Sequence, residues 1–228
     1  MSDPISVILP VFNEKDNIEK AVSSINATFP RFINSFEIII VDDGSSDGSS
    51  EILSQLAAKN KMVHVIHHIE NKGYGASLTS GFKSAKGSLV FFMDSDLQFD
   101  ISEIQKLLNY IDKFDIVVGY RIKRKDSSYR LRLSSLFNFI VRQTFGIPIR
   151  DINCAFKLFH RDIVDQINLT SQGSMINTEF ITKALRIGKT INEVGVNHYP
   201  RKEGRQTGGS LKVILRSIFE FAKLRLTI

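Results

Sequence analysis

Cysteine is almost absent from this 228-residue chain, in which Cys154 is the single thiol. One cysteine excludes an internal disulfide framework and gives no reason to place the chain in an oxidising compartment. No stretch reaches the roughly 18 uninterrupted apolar residues of a membrane-spanning helix. The first residues, MSDPISVILP, lack the basic segment and long apolar core of a signal peptide. These absences predict a cytoplasmic protein, soluble or peripheral on the cytoplasmic membrane face.

Acidic residues are outnumbered by basic ones, and the formal net charge is +6 with a pI of about 9.4. An excess of positive charge favours anionic partners, such as nucleic acid, an anionic membrane surface or phosphorylated small molecules. The basic side chains crowd into residues 121–132 and 201–216. They do not alternate with aromatic residues as in a nucleic-acid-binding surface, so we expect no nucleic-acid partner.

Short apolar runs alternate with helical patterns through the first half of the chain. The runs predict strands at 5–11, 36–41, 62–67, 89–93 and 115–119, and the helical patterns lie around 15–28, 48–60, 75–86 and 101–112. Nearly continuous apolar strands separated by helices indicate an α/β fold with a mainly parallel central sheet flanked by helices. Such sheets bind ligands outside the carboxyl ends of their strands.

The second half has a less regular pattern but no convincing linker, so we expect a single domain over 1–228. Helical spacing at 129–145 places five apolar residues on one side: Leu133, Leu136, Phe137, Ile140 and Val141. A strand at 154–159, a helix around 175–187 and a strand around 191–197 follow. Residues 209–228 predict a C-terminal amphipathic helix with a polar stripe of Lys212, Arg216, Glu220 and Lys223. The apolar faces of both amphipathic helices fit a membrane surface, the core or a dimer interface.

The apolar run at 89–93 breaks abruptly into Asp94, Ser95 and Asp96. Two carboxylates this close repel each other unless a positive partner joins them, and hard divalent cations prefer carboxylate, phosphate and water oxygens. An isolated Asp-x-Asp is more often an ordinary turn. Here, however, three other predicted strands also end in polar motifs, which favours a site for a metal ion and a diphosphate.

Four motifs follow one another at these strand ends and in the loops between them. They are ValIleLeuProValPheAsnGlu at 7–14, IleIleValAspAspGlySerSerAsp at 39–47, AsnLysGlyTyrGlyAlaSer at 71–77 and AspSerAspLeuGln at 94–98. Together they resemble the family-2 glycosyltransferases with the GT-A fold, which transfer a sugar from a nucleotide-sugar with inversion. The resemblance implies a metal-dependent hexosyltransferase that uses Mg²⁺ or Mn²⁺.

The resemblance also implies roles for residues in the first half. The nucleoside would be held by Pro10, Val11, Glu14 and Asp43, with Asp43 facing the base and Lys72 adding a cation near the nucleotide. Asp94, Asp96 and Gln98 would form the metal site, with Asp96 as direct ligand and Asp94 bridging ribose and metal. The plain alternatives are a turn with a helix cap at Ser46 or Asp47, and a helix entry at the glycine-bearing loop.

The second half narrows the acceptor. AspIleAsnCysAlaPheLysLeuPhe at 151–159 is similar to a stretch of dolichyl- and polyprenyl-phosphate sugar synthases, with Ala155 in place of their glycine. HisTyrProArgLysGluGlyArg at 198–205 resembles the basic loop of those enzymes. The resemblance implies that four residues bind substrate, Arg121, Asp151, Arg201 and Arg205, with the arginines facing the phosphates. Arg205 would join Asp94 and Asp96 as a catalytic residue, and the acceptor would be dolichyl or undecaprenyl phosphate.

A lipid phosphate is already an oxyanion, so it needs no general base. Many saccharide-specific relatives carry a downstream Glu-Asp pair as base, and Glu179 is the nearest lone carboxylate here. A saccharide or protein acceptor in cell-envelope glycan synthesis stays an alternative, as does a nucleotide-binding module without catalysis. On the leading interpretation residues 1–120 bind the nucleotide-sugar, 121–208 form the acceptor side and 209–228 form the C-terminal helix. Donor base and sugar, preferred metal and self-association remain open.

Overall fold

The computed structural model describes residues 3–122, 128–201, 203–204 and 211–228, apart from the side chains of 128–130 and 211–214. The strands are β1 (Ile5–Val11), β2 (Phe36–Asp42), β3 (Val63–His67), β4 (Leu89–Met93), β5 (Ile116–Ile122), β6 (Phe156–His160) and β7 (Ile191–Asn197). The helices are α1 (Ile18–Thr28), α2 (Ser49–Lys59), α3 (Tyr74–Ser84), α4 (Ile104–Ile111), α5 (Ser128–Phe145), α6 (Asp162–Gln166), α7 (Ile176–Arg186) and α8 (Leu211–Thr227).

The strands form one 7-stranded sheet in the order β3-β2-β1-β4-β6-β5-β7. The β1–β2, β2–β3, β1–β4 and β5–β7 pairs are parallel, which confirms the mainly parallel sheet. The chain runs outward from β1 to β3 and then returns to place β4 on the other side of β1. The carboxyl ends of β1 and β4 therefore flank the switch in strand order, where ligands bind in folds of this kind.

The five strands predicted in the first half are confirmed. β1 and β4 are buried along their whole length, as expected of apolar strands inside a covered sheet, whereas the edge strand β3 is only partly buried. The second half differs from expectation at β6, which is antiparallel to both β4 and β5. The short helix α6 was not predicted, and the helical pattern at 101–112 divides into a 3₁₀ turn at Ile101–Glu103 followed by α4.

Phenylalanine rings connect the sheet to the helices that cover it. Phe91 on β4 meets Phe156 on β6 edge-on, with ring centroids 4.8 Å apart. Phe159 lies 5.4 Å from Phe82 of α3 and 4.7 Å from Phe180 of α7. Offset and edge-to-face rings stabilise a core beyond their buried area. These contacts therefore hold β6 against β4 in the sheet and against the helices that cover it.

The two amphipathic helices present apolar residues outward. On α5, Val141 is buried, but Leu133, Leu136 and Ile140 are exposed, so the predicted apolar side is only partly covered. Among the described side chains of α8, four large apolar residues are exposed: Leu215, Ile218, Phe219 and Leu226. The helices are in contact with each other through the rings of Phe145 and Phe221, with centroids 5.5 Å apart.

Candidate active site

The aspartate pair lies where β4 leaves the sheet, next to the end of β1. Ser95 between the two aspartates is buried, and its hydroxyl donates to the carbonyl of Pro10 at 3.1 Å. Leu97, the residue after Asp96, adopts a φ of +60°, a left-handed conformation that non-glycine residues seldom take. Backbone strain of this kind concentrates at functional sites, where the surrounding structure maintains it. Here it turns the chain so that Asp96 Oδ1 accepts from the amide of Gln98 at 3.1 Å.

The two carboxylates are partly buried, and neither ionises as readily as an exposed aspartate. Burial raises the pKa of Asp94 to about 7, and the negative charge of Asp96 adds to the rise. A hydrogen bond from Tyr74 and the positive charges of Arg121 and Lys157 oppose it. Burial also raises the pKa of Asp96, against the Gln98 amide and the charge of Arg201. A bound cation would therefore stabilise the charged form of both carboxylates.

Tyr74 is the first residue of α3, and its hydroxyl is a hydrogen-bond partner of Asp94. Burial and the neighbouring aspartates raise the pKa of Tyr74 well above its ordinary value, so it stays a donor. Sequence reasoning missed this role, although Tyr74 lies inside the glycine-bearing motif. The structure therefore joins that motif directly to the aspartate pair.

Asp43 positions the same loop from the end of β2. Its Oδ1 accepts from the Lys72 amide at 2.9 Å and its Oδ2 from the Gly73 amide at 2.8 Å. The imidazole Nδ1 of His68 lies 2.7 Å from Oδ1, and Asp43 is 3% exposed. Much of the bonding capacity of this carboxylate is thus used within the protein, and its contact with a nucleobase stays a prediction. The Lys72 side chain is exposed.

Glu14 and Arg201 meet beside Asp96, although 187 residues separate them in sequence. Arg201 Nη2 donates to Glu14 Oε1 at 2.5 Å, and Nη1 lies 3.8 Å from Asp96 Oδ2. Gln98 anchors the same loop, since its Nε2 donates to the Tyr199 carbonyl at 2.9 Å. The predicted phosphate-facing Arg201 is therefore placed at the aspartate pair. Arg205, the third predicted catalytic residue, lies outside the described residues.

Arg121 and Asp151 form a two-pronged ion pair. Nε of Arg121 donates to Oδ2 at 2.7 Å and Nη2 donates to Oδ1 at 2.8 Å. The pair lies near Asp94, since the charge of Arg121 acts on that carboxylate. The structure thus brings together two residues predicted to bind substrate, and it shows that they bind each other. Their contact with substrate stays a prediction.

A fully buried lysine lies behind the site. Lys157 on β6 is 0% exposed, and its Nζ donates to the Cys154 carbonyl and, at 2.9 Å, to Asn177 Oδ1. Burial lowers its pKa to about 8, while the neighbouring charge of Asp94 acts in the opposite direction. A lone lysine in an otherwise apolar strand was the only sequence signal for this arrangement.

Three further residues, Pro10, Val11 and Glu179, make contacts that stabilise the fold. Pro10 and Val11 are buried at the end of β1, and the Val11 carbonyl accepts from the Asp43 amide at 2.8 Å. Glu179 is fully buried, and its Oε2 accepts from the amides of Thr170 and Ser171 at 3.0 and 2.7 Å. A carboxylate engaged in this way holds the 170–171 segment against α7.

The chemistry of the donor set fits a divalent cation. Asp94 and Asp96 supply carboxylate oxygens, and Gln98 retains its Oε1 as an acceptor because only its Nε2 donates to Tyr199. Within the described ranges, no group of three or more His, Cys, Asp or Glu residues could hold a metal by itself. A cation at this position would therefore complete its shell with diphosphate and water oxygens, as Mg²⁺ commonly does.

Comparison with known proteins places this geometry in a family. Residues 6–167 match the model of glycosyl transferase family 2. The chain is 32% identical over 213 residues to undecaprenyl-phosphate 4-deoxy-4-formamido-L-arabinose transferases of Aeromonas hydrophila and Edwardsiella ictaluri. These alignments cover 92% of this chain and 64% of each relative, so the chain spans less than two thirds of their length.

Solved structures share the fold at low sequence identity. Glucosyl-3-phosphoglycerate synthase of Mycobacterium tuberculosis, crystallised with Mn²⁺, UDP-glucose and phosphoglyceric acid, superposes with a TM-score of 0.74. The match has 19% identity and covers 99% of this chain and 80% of that one. The Mg²⁺ and UDP complex of the same enzyme gives a TM-score of 0.72 at 17% identity, over 99% of this chain and 80% of that one. The family match and the shared fold lead to one conclusion: the chain belongs to glycosyl transferase family 2 and has the GT-A fold.

Proposed function

We propose that the protein is an inverting, metal-dependent glycosyltransferase that moves a sugar from a nucleotide-sugar to polyprenyl phosphate. One observation carries the proposal: a pair of partly buried aspartates with raised pKa values at the switch point of a family-2 sheet. The names of the relatives, undecaprenyl-phosphate sugar transferases, support the acceptor class. The divalent ions and UDP bound to the structural neighbours support the donor and the metal.

Residues of the chain would hold the donor as follows. The nucleoside would lie at the ends of β1 and β2, near Glu14 and Asp43, and the diphosphate would face Asp94 and Asp96. A bound Mg²⁺ or Mn²⁺ would supply neutralisation of the departing diphosphate. Division of the chain into a donor half (1–120), an acceptor side (121–208) and a C-terminal helix (209–228) is part of the same proposal.

The acceptor phosphate would meet the basic side of the site. Its oxyanion would attack the anomeric carbon as the bond to the nucleoside diphosphate breaks, with no proton to remove. Arg201 and Arg205 would orient the reacting phosphates, and Arg121 with Asp151 would fix the acceptor side. Most of the acceleration would come from positioning and electrostatics. The buried, fully bonded state of Glu179 favours an acceptor that needs no base.

Access to a lipid acceptor suggests peripheral contact with a membrane. Every helix in the described part of the chain is too short or too polar to cross a bilayer. The exposed apolar residues of α5 and α8 would instead lie in the headgroup layer, with basic residues at anionic lipids. Self-association through the same faces is the alternative.

The test is a panel of radiolabelled nucleotide-sugars incubated with undecaprenyl phosphate and Mn²⁺ or Mg²⁺. Label in the organic phase, lost on chelation, is the expected result, and the panel includes a UDP-linked 4-deoxy-4-formamido-L-arabinose. Absence of lipid-linked label with every donor would contradict the acceptor assignment. Transfer to a soluble saccharide without lipid would favour the alternative function in cell-envelope glycan synthesis.

A further inference from the structure

Arg216, a member of the polar stripe of α8, makes contact with the glycine-bearing loop. Arg216 Nη2 donates to the Lys72 carbonyl at 3.3 Å and to Gln172 Oε1 at 3.0 Å. Its Nε donates to Glu220 Oε1 at 3.2 Å. Glu220 is 9% exposed, and the same oxygen accepts from the amides of Gln172 and Gly173 at 3.2 and 2.9 Å. Part of the predicted polar stripe is therefore an internal contact.

The segment held by α8, residues 172–173, contacts the glycine-bearing loop through backbone atoms. The Gly75 amide donates to the Gln172 carbonyl at 2.7 Å. A Cβ added to Gly75 would lie 2.4 Å from the Ser171 oxygen, and one added to Gly73 would lie 2.5 Å from the Gln172 oxygen. A side chain at either position would clash with these carbonyl oxygens, so only glycine lets the two segments approach this closely. A shift of residues 171–173 must therefore move Gly73, Gly75 and Tyr74 between them.

We infer that Arg216 and Glu220 are positioning residues of the donor site. They hold the 172–173 segment and the Lys72 carbonyl so that the Tyr74 hydroxyl stays on Asp94. The inference rests on the proposed function, in which that site binds a nucleoside diphosphate with a divalent cation. Neither residue touches the substrate: α8 acts on the aspartate pair through the backbone of two loops.

The test compares Arg216→Ala with Arg225→Ala, which removes a guanidinium from an exposed position of the same helix. Arg225 has no hydrogen bond or ion pair to the loop among the described contacts. Calorimetry measures the affinity of each variant for UDP in the presence of Mn²⁺. Loss of hydrogen bonds of ordinary strength predicts an affinity for Arg216→Ala that is about threefold to tenfold lower. Arg225→Ala keeps the wild-type affinity.

Two further variants separate positioning from a general loss of structure. Arg216→Lys keeps the positive charge but places its donors on a single nitrogen, so it retains part of the UDP affinity that Arg216→Ala loses. Because Arg216 acts through Tyr74, the double variant Arg216→Ala/Tyr74→Phe binds UDP no more weakly than the weaker single variant. In turnover, the donor KM rises while kcat stays close to wild type.

Each outcome decides between the two proposals. Equal affinity of Arg216→Ala and Arg225→Ala, with a wild type that binds UDP, would overturn the positioning role alone. If the losses of UDP affinity in the two single variants multiply in the double variant, the route through Tyr74 would be overturned. A wild type that binds none of UDP, GDP and dTDP with Mn²⁺ would overturn the proposed function, and this inference with it.

Discussion

At the scale of single residues, the aspartate pair is the most informative feature of the protein, because its surroundings oppose its negative charge. Asp94 and Asp96 share a partly buried site in which burial opposes ionisation of both carboxylates. Arg201 at 3.8 Å from Asp96 compensates only partly, because its guanidinium also binds Glu14. A fold maintains such an arrangement when a cation relieves it in the working state.

Replacing Asp96 tests this interpretation directly. We expect Asp96→Ala to abolish metal-dependent transfer while the far-UV circular dichroism stays unchanged, since the backbone at Gln98 loses one hydrogen bond only. Asp112→Ala, at an exposed carboxylate after α4, is the matched control and should keep wild-type turnover. Near-normal turnover in Asp96→Ala would refute the metal role.

The raised pKa of Asp94 predicts how the metal-free protein responds to pH. Between the ordinary value of 3.8 and about 7, folded Asp94 keeps a proton that the unfolded chain releases. The free energy of unfolding should therefore fall as pH rises through this range, by about 1.4 kcal/mol per unit of pKa difference, and then level off. Thermal unfolding in EDTA from pH 4 to 8 measures the fall.

Asp94→Asn is the control for that pH dependence, because its amide is neutral at every pH and can still accept from Tyr74. In EDTA it should unfold at a higher temperature than wild type at pH 8, with the difference shrinking toward pH 4. A difference that is constant with pH would contradict the assigned cause. Added Mn²⁺ should stabilise wild type more than the variant.

At the scale of elements, loops are fixed to helices by buried carboxylates. Burial opposes ionisation of Glu179, but hydrogen bonds from Lys183, Ser171 and Thr170 outweigh it, so its pKa lies below the ordinary value. Its contribution to stability is present at neutral pH and is lost as pH falls through the folded pKa. The carboxylate thus joins the 170–171 segment to α7 while it is charged.

We expect Glu179→Gln to destabilise the fold by about 1–3 kcal/mol, because a neutral amide leaves buried backbone amides poorly satisfied. Urea unfolding at pH 7 measures the loss. The pH dependence of kcat should match that of wild type, since the proposed mechanism gives Glu179 no part in proton transfer. A kcat profile that loses an ionisation in the variant would instead identify Glu179 as a base.

The elements that sequence patterns predicted best are those with uniform environments. β1 and β4 read as apolar runs because both of their faces are buried, and their polar ends follow at once. The antiparallel direction of β6 was not predictable, since a buried strand has the same composition in either direction. Lys157 interrupts that strand, and its Nζ donates to the Cys154 carbonyl nearby in the sequence and to Asn177 on α7, a contact that the local pattern does not reveal.

At the scale of the whole molecule, long-range contacts explain what the sequence left open at the site. The motifs placed Asp94 and Asp96 correctly at a strand end, but the Glu14–Arg201 contact depends on the full path of the chain between them. Likewise, Arg216 and Glu220 were predicted only as members of a polar stripe, and the docking of α8 shows that they contact the 172–173 segment and the Lys72 carbonyl.

The distribution of apolar surface predicts membrane contact. Phe219 on α8 is 70% exposed and Leu136 on α5 is 56% exposed, on two helices that touch each other. We expect Leu136→Glu/Phe219→Glu to lower binding to phosphatidylglycerol vesicles several-fold in a flotation assay, because a carboxylate opposes burial among anionic lipids. Ile187→Glu, at an apolar residue 42% exposed after α7, should bind as wild type does. Unchanged vesicle binding with altered self-association would assign these faces to a dimer instead.

The most direct measurement of the central claim is calorimetric titration of UDP into wild type and Asp96→Asn, with Mn²⁺ and with EDTA. The account predicts that wild type binds UDP much more tightly with Mn²⁺ than with EDTA, and that Asp96→Asn shows little difference between the two conditions. An equal response to Mn²⁺ in both proteins would contradict a metal–diphosphate site at the end of β4.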